Sequence, residues 1–395
     1  MNPLALRSFT SSSCIGTGNA AALQSIQAQR SGLKHCDFET ASIDTFVGEV
    51  PGVDAQALPP ALKVFDCRNN RLAELTLRQD GFLEAVAAVA ARLGRERIGV
   101  YLGTSTSGIF ETELAYRRRD AHSGLLPDSY HYGPTHNTFS VADYVRQRLK
   151  VEGPALALSS ACASSAKAFA SAQRAITAGL IDAAVVGGVD SLCLTTLYGF
   201  HSLQLSSPQP CRPFDVARDG ISIGEAAAFI LLERTAVSES AVTLYGVGES
   251  SDAYHMSAPH PEGAGARLAM QAALESAGLD ADDVDYINLH GTGTPSNDRS
   301  ESQAVTTLFG PTVPCSSTKG ATGHTLGAAG ALEAVISALC IKEGIMPGGV
   351  GTQHLDPNLT AHYIRENKRA SVRRILSNSF GFGGTNCSLI LGSPQ

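Results

Sequence analysis

One cysteine and two histidines carry the chemistry that the residue types allow. Cys162 stands where the apolar run Ala155-Leu-Ala-Leu158 turns through Ser159-Ser160-Ala161 into a helical stretch of small residues, Cys162 to Ala178. A thiol at a helix start meets the positive end of the helix dipole and unpaired backbone N–H groups. Both favour thiolate and are expected to lower its pKa below the free value of about 8.5. The same N–H groups can hold an oxyanion when the sulfur attacks a carbonyl. The competing reading is a buried structural cysteine, the usual fate of a free thiol. His290 follows the strand-like Tyr286-Ile-Asn-Leu289 and opens a turn rich in Gly and Thr. His324 follows Lys319 and precedes the helical stretch that carries Glu333. A lone histidine at a strand end is commonly a satisfied structural residue. Two in glycine-rich turns, with a thiol at a third, suggest a nucleophile served by imidazoles. His131 and His136, in a polar loop, have no such setting. No i,i+4 His pair and no carboxylate at ligand spacing accompanies the candidates, so no metal is expected.

The elements that position these residues read as α/β. Arg97–Leu102, Ala155–Leu158, Ala183–Val186, Ala227–Leu232, Tyr286–Leu289 and Cys387–Leu391 read as buried strands. Between them Leu75–Leu93, Cys162–Ala178, Ala266–Ser276 and Ala329–Glu343 have helical spacing. A weak duplication shows in paired features. One strand ends in Gly103-Thr-Ser-Thr106 and another in His290-Gly-Thr-Gly-Thr294; Ser159-Ser-Ala-Cys162 and Ser316-Ser-Thr-Lys319 each precede a small-residue helix. Each part closes with a glycine-rich turn feeding a strand, Gly220–Gly224 and Phe380–Gly384. The boundary is expected near Val237–Ala241, giving halves of 1–238, with the cysteine, and 239–395, with both histidines.

Composition removes several function classes. With 43% hydrophobic and 17% charged residues in 395, the chain is globular, with length for two or three units. Its 30 basic and 37 acidic residues leave a net charge of −7, which argues against non-specific nucleic-acid binding. The longest apolar runs, such as Ala226–Leu232, are far short of the roughly 18 residues that span a bilayer, so no membrane insertion is expected. Met1–Cys14 lacks an apolar signal core, and nine scattered cysteines without C-x-x-C spacing favour free thiols. A cytoplasmic enzyme is the expectation.

Five runs then resemble, in order and spacing, the elongating β-ketoacyl-acyl-carrier-protein synthases. They are Ser160-Ala-Cys162-Ala-Ser-Ser, Asp252-Ala-Tyr-His-Met, His290-Gly-Thr-Gly-Thr-Pro295, Lys319-Gly-Ala-Thr-Gly-His324 and Asn378-Ser-Phe-Gly-Phe-Gly-Gly-Thr-Asn386. The likeness runs from about residue 95 to the end; the first 60 or so residues match poorly, the family's glycine-rich opening being degraded to Cys14-Ile-Gly-Thr-Gly. The resemblance implies the thiolase fold, a five-layer αβαβα core of two duplicated halves. It places the nucleophile on Cys162, the histidine pair on His290 and His324, the lysine on Lys319 and the acidic residue on Glu333. Phe382 takes the gating position, its backbone N–H joining that of Cys162 in an oxyanion hole. Thr292 and Thr294 match residues touching a pantetheine arm, with Phe380 and Gly383 in the same substrate-binding region. Asp252, Asp298 and Glu301 match acidic residues of loops and support.

In that reading an acyl group passes from a carrier-protein thioester to Cys162. A malonyl thioester then loses CO₂, and two neutral imidazoles stabilise the enolate. No cofactor is expected beyond the 4′-phosphopantetheine of the acyl carrier protein that brings the substrates. Docking of that acidic partner is expected on Arg68, Arg71, Arg117, Arg118 and Arg119, the first two a helical turn apart. A homodimer is expected, pairing through an edge near Ala183–Val186, or a heterodimer with a cysteine-less chain-length-factor homologue. The stretch Gly188–Phe200 resembles synthases of aryl-polyene clusters. A cysteine hydrolase leaves the second histidine and Lys319 unexplained, and a thiolase would carry a second reactive cysteine in the C-terminal glycine loop, where Phe382 stands. A non-catalytic chain-length-factor-like partner would lack Cys162.

Overall fold

The computed structural model describes residues 2–234 and 241–394. Ten strands form the path of the eleven-stranded main sheet, in which the short Gly16–Thr17 pairs only with the first: β1 Leu4–Ser13, β2 Ile98–Gly103, β3 Ala155–Leu158, β4 Ala183–Asp190, β5 Ala226–Glu233, β6 Thr243–Ser251, β7 Tyr286–Asn288, β8 Cys315–Ser316, β9 Arg374–Gly381 and β10 Thr385–Gly392. Their spatial order is β8-β7-β9-β10-β6-β1-β5-β4-β2-β3. It divides into two five-strand units of identical connectivity. In the first, β2 runs parallel to β3 and β4, β5 antiparallel to β4 and β1. In the second, β7 runs parallel to β8 and β9, β10 antiparallel to β9 and β6. Numbered within its own half, each unit has the order 3-2-4-5-1. Among the described residues, the two units pair in the sheet through Leu4 opposite Leu244 and Ala5 opposite Thr243. The duplication suggested by the paired glycine turns is a duplication of topology. The expected boundary at 238/239 falls on 235–240, outside the described residues.

Seven helices complete the layers that position the site: α1 Arg68–Leu77, α2 Phe82–Leu93, α3 Ser140–Leu149, α4 Ser164–Thr177, α5 Ala264–Ala277, α6 Pro295–Phe309 and α7 Ala329–Glu343. The central layer is α4 against α7, each also touching strands of both halves. Helix α7 shows why: every residue from Ala329 to Ile341 is buried, so it has no polar face to give to solvent. Helices α1, α2 and α3 close the outer face of the first half, with Leu72, Phe82, Val86 and Tyr144 against Val100 and Phe229. Helices α5 and α6 close the second, with Met270 and Val305 among Ile287, Leu376 and Ile390. This is the five-layer αβαβα arrangement.

Two expectations need correction. Leu75–Leu93 is not one helix: Asp80 and Gly81 take φ of 55° and 67°, in the left-handed region, and separate α1 from α2. The break is anchored, because the Asp80 carboxylate accepts from Thr10 Oγ1 at 2.7 Å and Asn19 N at 3.0 Å. Nor does Ala183–Val186 lie at an edge. It belongs to β4, between β5 and β2, with all eight residues buried. A continuous apolar run marks a strand covered on both faces, which is a property of the sheet's interior. The edge is β3, where Leu156 keeps 48% of its surface exposed.

Candidate active site

Cys162 enters the site from the turn between β3 and α4. Ala161 adopts φ of 51°, and Ser164 Oγ accepts from Ser160 N at 2.9 Å, closing the turn just ahead of the helix. The sulfur is buried, 3.1 Å from His324 Nε2, and the Phe382 backbone N–H points at it. Its pKa, however, is pushed up to about 11, not down. Burial raises it, and the Lys319 charge and the Phe382 N–H recover only part of that. Desolvating a thiolate outweighs the pull of a helix start two residues away.

Both histidines come from turns of the second half, His290 after β7 and His324 after the short helix Lys319–Thr322. Their rings stand 5.2 Å apart at 83°. Both titrate well below 6.5, because burial opposes the charged form and the Lys319 ammonium adds repulsion. Both are therefore neutral at pH 7, and their neighbours fix which nitrogen holds the proton. Leu326 N–H donates to His324 Nδ1 at 3.3 Å, so His324 carries its proton on Nε2, facing the sulfur. Lys319 Nζ lies 3.4 Å from His290 Nδ1; the ammonium can only donate, so His290 also carries its proton on Nε2. Two N–H groups thus serve one cavity.

The support behind them is carboxylate. Lys319 is buried and bonded to Glu333, whose pKa burial lifts to about 7 against the pull of Lys319. Glu301 accepts from His290 N at 2.8 Å, Gly291 N at 2.7 Å and Asn378 Nδ2 at 3.0 Å, which holds the His290 turn from below. Asp298 accepts from Phe214 N at 2.8 Å and Gly293 N at 3.2 Å, fixing the next residues of that turn. Neither lines the cavity.

The cavity encloses about 620 Å³, its mouth included. Cys162, His290, His324, Phe380 and Phe382 line it, together with the polar Thr292, Thr294, Ser296, Asn297 and Asp252. Phe200, Leu205 and Ile221 add apolar wall to the cavity. Phe200 packs on Phe382 with ring centroids 5.8 Å apart. Motif reading misses this wall, since isolated apolar residues on another segment carry no chemical signal. Gly383 does not line the cavity; it takes φ of 82° and donates its N–H to Met256 O at 2.7 Å, tying the glycine loop to the 252–262 loop.

The docking arginines divide. Arg68 is only 2% exposed: it bonds Glu225 at 2.7 and 3.0 Å and Asp54 at 2.6 Å, so it neutralises a buried carboxylate and offers nothing to a partner. Arg71 is half-buried and paired with Asp66 at 2.6 Å. Arg117, Arg118 and Arg119 are exposed, the first paired with Glu39 at 3.1 Å.

The Cys162, His290 and His324 ligand atoms all lie within 4.8 Å of one another, close enough to hold a metal ion. The proton placement opposes that use: each Nδ1 accepts a hydrogen bond, so each Nε2 bears a hydrogen where a metal would need a lone pair.

Comparison with known proteins agrees with this geometry. Residues 73–238 match the N-terminal domain of beta-ketoacyl synthases and residues 241–353 the C-terminal domain. Nodulation protein E of Rhizobium meliloti (strain 1021) is 37% identical over 306 residues, 74% of this chain and 75% of that protein. The chain belongs to the beta-ketoacyl synthase family. Another member, 3-oxoacyl-[acyl-carrier-protein] synthase 2 of the same strain, is 38% identical over 317 residues, 74% of this chain and 73% of that one. Among solved structures, the ketosynthase ApeO in complex with its chain length factor ApeC, from Xenorhabdus doucetiae, matches with a TM-score of 0.91 and 39% identity over 99% and 98% of the two chains. The ishigamide ketosynthase/chain length factor matches at 0.89 and 26% over 100% and 99%. The thiolase fold of these ketosynthases is the fold of this chain.

Proposed function

We propose that this protein elongates an acyl chain by decarboxylative Claisen condensation with malonyl-acyl carrier protein, giving 3-oxoacyl-acyl carrier protein. The observation that carries the reading is one buried thiol with two buried imidazoles, their ligand atoms within 4.8 Å of one another, and with Lys319 and Leu326 N–H on the Nδ1 sides of the rings. In the first half-reaction Cys162 exchanges with the carrier thioester: a carbon–sulfur bond forms to Cys162, the bond to pantetheine breaks, and the thiol proton ends on the released pantetheine. In the second, malonyl thioester loses its carboxylate as CO₂, and the electron pair becomes an enolate whose oxygen receives the two Nε2–H bonds. The enolate carbon attacks the acyl-Cys162 carbonyl; the tetrahedral oxyanion takes the backbone N–H groups of Cys162 and Phe382. Collapse expels the sulfur, which recovers one proton from solvent.

Lys319 and Glu333 do not touch substrate; they keep the proton of His290 on Nε2. Thr292 and Thr294 offer hydroxyls to the amides of the pantetheine arm. The chemistry needs no metal or further cofactor. Free cysteines throughout, and no helix among the described residues long and apolar enough to cross a membrane, fit a protein working in the cytoplasm with an acyl carrier protein. The likeness to ApeO favours a second feature: this chain is the active half of a heterodimer with a cysteine-less chain length factor, making a polyene or polyketide product.

Purified protein, alone and co-expressed with such a homologue, is given malonyl carrier protein and a panel of acyl carrier proteins. Intact mass spectrometry is expected to show 3-oxo products two carbons longer. Thioester hydrolysis without extension would refute the condensation, and full activity of the chain alone would refute the heterodimer.

A further inference from the structure

We propose that Asp190 is a positioning residue for His324: its carboxylate clamps a strained turn that decides which imidazole nitrogen bears the proton. The inference rests on the reading of His324 given above. Asp190 ends β4 and is fully buried. Its Oδ1 accepts from Thr104 Oγ1, Ser105 N, Thr106 N and Thr106 Oγ1, each at 2.8 Å. Its Oδ2 accepts from Ser105 Oγ at 2.6 Å and from Gly327 N at 2.5 Å. One carboxylate thus joins the loop after β2, in the first half, to the turn carrying His324, in the second.

That turn is strained. Leu326 has φ of 52°, a conformation that non-glycine residues seldom adopt and that needs support from its surroundings. The turn leading into it brings Leu326 N–H back onto His324 Nδ1. The support comes one residue later, at Gly327. A Cβ there would lie 2.7 Å from Asp190 Oδ2 and 3.0 Å from Ser105 N, so only glycine lets the backbone approach its acceptor. Release Gly327, and the peptide joining Thr325 to Leu326 loses the anchor one residue beyond it; its N–H is free to turn off Nδ1, and the proton on Nε2 is no longer enforced. The network also draws the loop after β2 inward, with Thr104, Thr106 and Ser107 buried.

Asp190→Asn tests the clamp selectively. The new Oδ1 can satisfy the four donors of the 104–106 loop, which leaves Nδ2 facing Gly327 N–H, donor against donor. Gly327→Ala tests it from the other side, and carries the test alone if Asp190→Asn does not fold. In protein labelled with ¹⁵N-histidine, two-bond ¹H–¹⁵N spectra report the tautomer directly, the His324 signals being assigned by their loss in His324→Ala. The expected result is a mixed tautomer at His324, and a ratio of malonyl decarboxylation to Cys162 acylation lowered about tenfold, as for one lost charge-assisted hydrogen bond. An unchanged tautomer in the folded variants, or both half-reactions falling together in step with the folded fraction, overturns the proposal. If the wild-type protein performs neither half-reaction, the functional reading fails, while the spectrum still judges Asp190.

Discussion

The two histidines are placed differently with respect to the sulfur, and removing each should separate the two half-reactions unequally. His324 Nε2 lies 3.1 Å from Cys162 Sγ, while His290 is held against Lys319 on the far side of the pair. Enolate charge arises only after malonyl decarboxylation, and a donor accelerates only the step in which its acceptor gains charge. His290→Ala and His324→Ala each remove one of two donors to that oxygen, so each should slow decarboxylation by about 10²–10³, the usual cost of one oxyanion donor. Acylation has a different dependence. His324 also donates to the sulfur as it becomes thiolate, a charge-assisted bond worth roughly 1.5–3 kcal/mol, so His324→Ala should slow acylation about ten- to a hundredfold. His290→Ala should leave acylation within a few-fold of wild type. Rapid-quench intact mass spectrometry follows acyl-Cys162 formation from an acyl carrier protein; conversion of malonyl to acetyl carrier protein follows decarboxylation. Equal loss of both reactions in both variants would refute this division, and so would unimpaired decarboxylation in either one.

Four further outcomes are expected. Cys162→Ala should abolish acyl transfer, while Cys193→Ala and Cys340→Ala, whose thiols burial pushes up to about 12, should keep most activity; peptide mapping after cerulenin should place the adduct on Cys162 alone. Below pH 6.5 the unfolded chain protonates its histidines while folded His290 and His324 stay neutral, so stability is lost on acidification by up to about 1.4 kcal/mol per pH unit for each. Glu301 and Glu333, raised to about 7, act with the opposite sign, being protonated in the folded chain and ionised in the unfolded one between pH 4.5 and 7; urea titrations should therefore show the stability of wild type relative to His290→Ala/His324→Ala shrinking from pH 6.5 to 5, and a constant difference would refute the neutral pair. Charge reversal of Arg118 and Arg119 together should raise KM for carrier-bound substrates and spare a free pantetheine thioester, whereas equal loss on both would show damage to folding. Leu156→Lys on the exposed edge strand β3 should shift light scattering toward monomer, and an unchanged oligomer would remove that edge from the interface.

Much of the site was legible because its chemistry resides in short runs. A thiol at a strand-to-helix turn and histidines in glycine-rich turns announce themselves locally, and the paired turns foretold a duplicated sheet. What stayed hidden depends on contacts between distant segments. Arg68 looked like a docking cation until Glu225, 157 residues away, claimed it. Cys162 looked activated by its helix, because a sequence displays the dipole beside a residue but not the depth of the layers over it. The misplaced edge has the same origin: the apolarity of Ala183–Val186 measured burial, and only the full strand order shows that burial there is central. Asp190 is the sharpest case. It follows a glycine pair at the end of a strand, with nothing in its neighbours to mark it, yet its carboxylate joins Thr104–Thr106 to Gly327. The proton on His324 is in this sense a property of both halves, since the imidazole comes from the second and the carboxylate that holds its turn comes from the first.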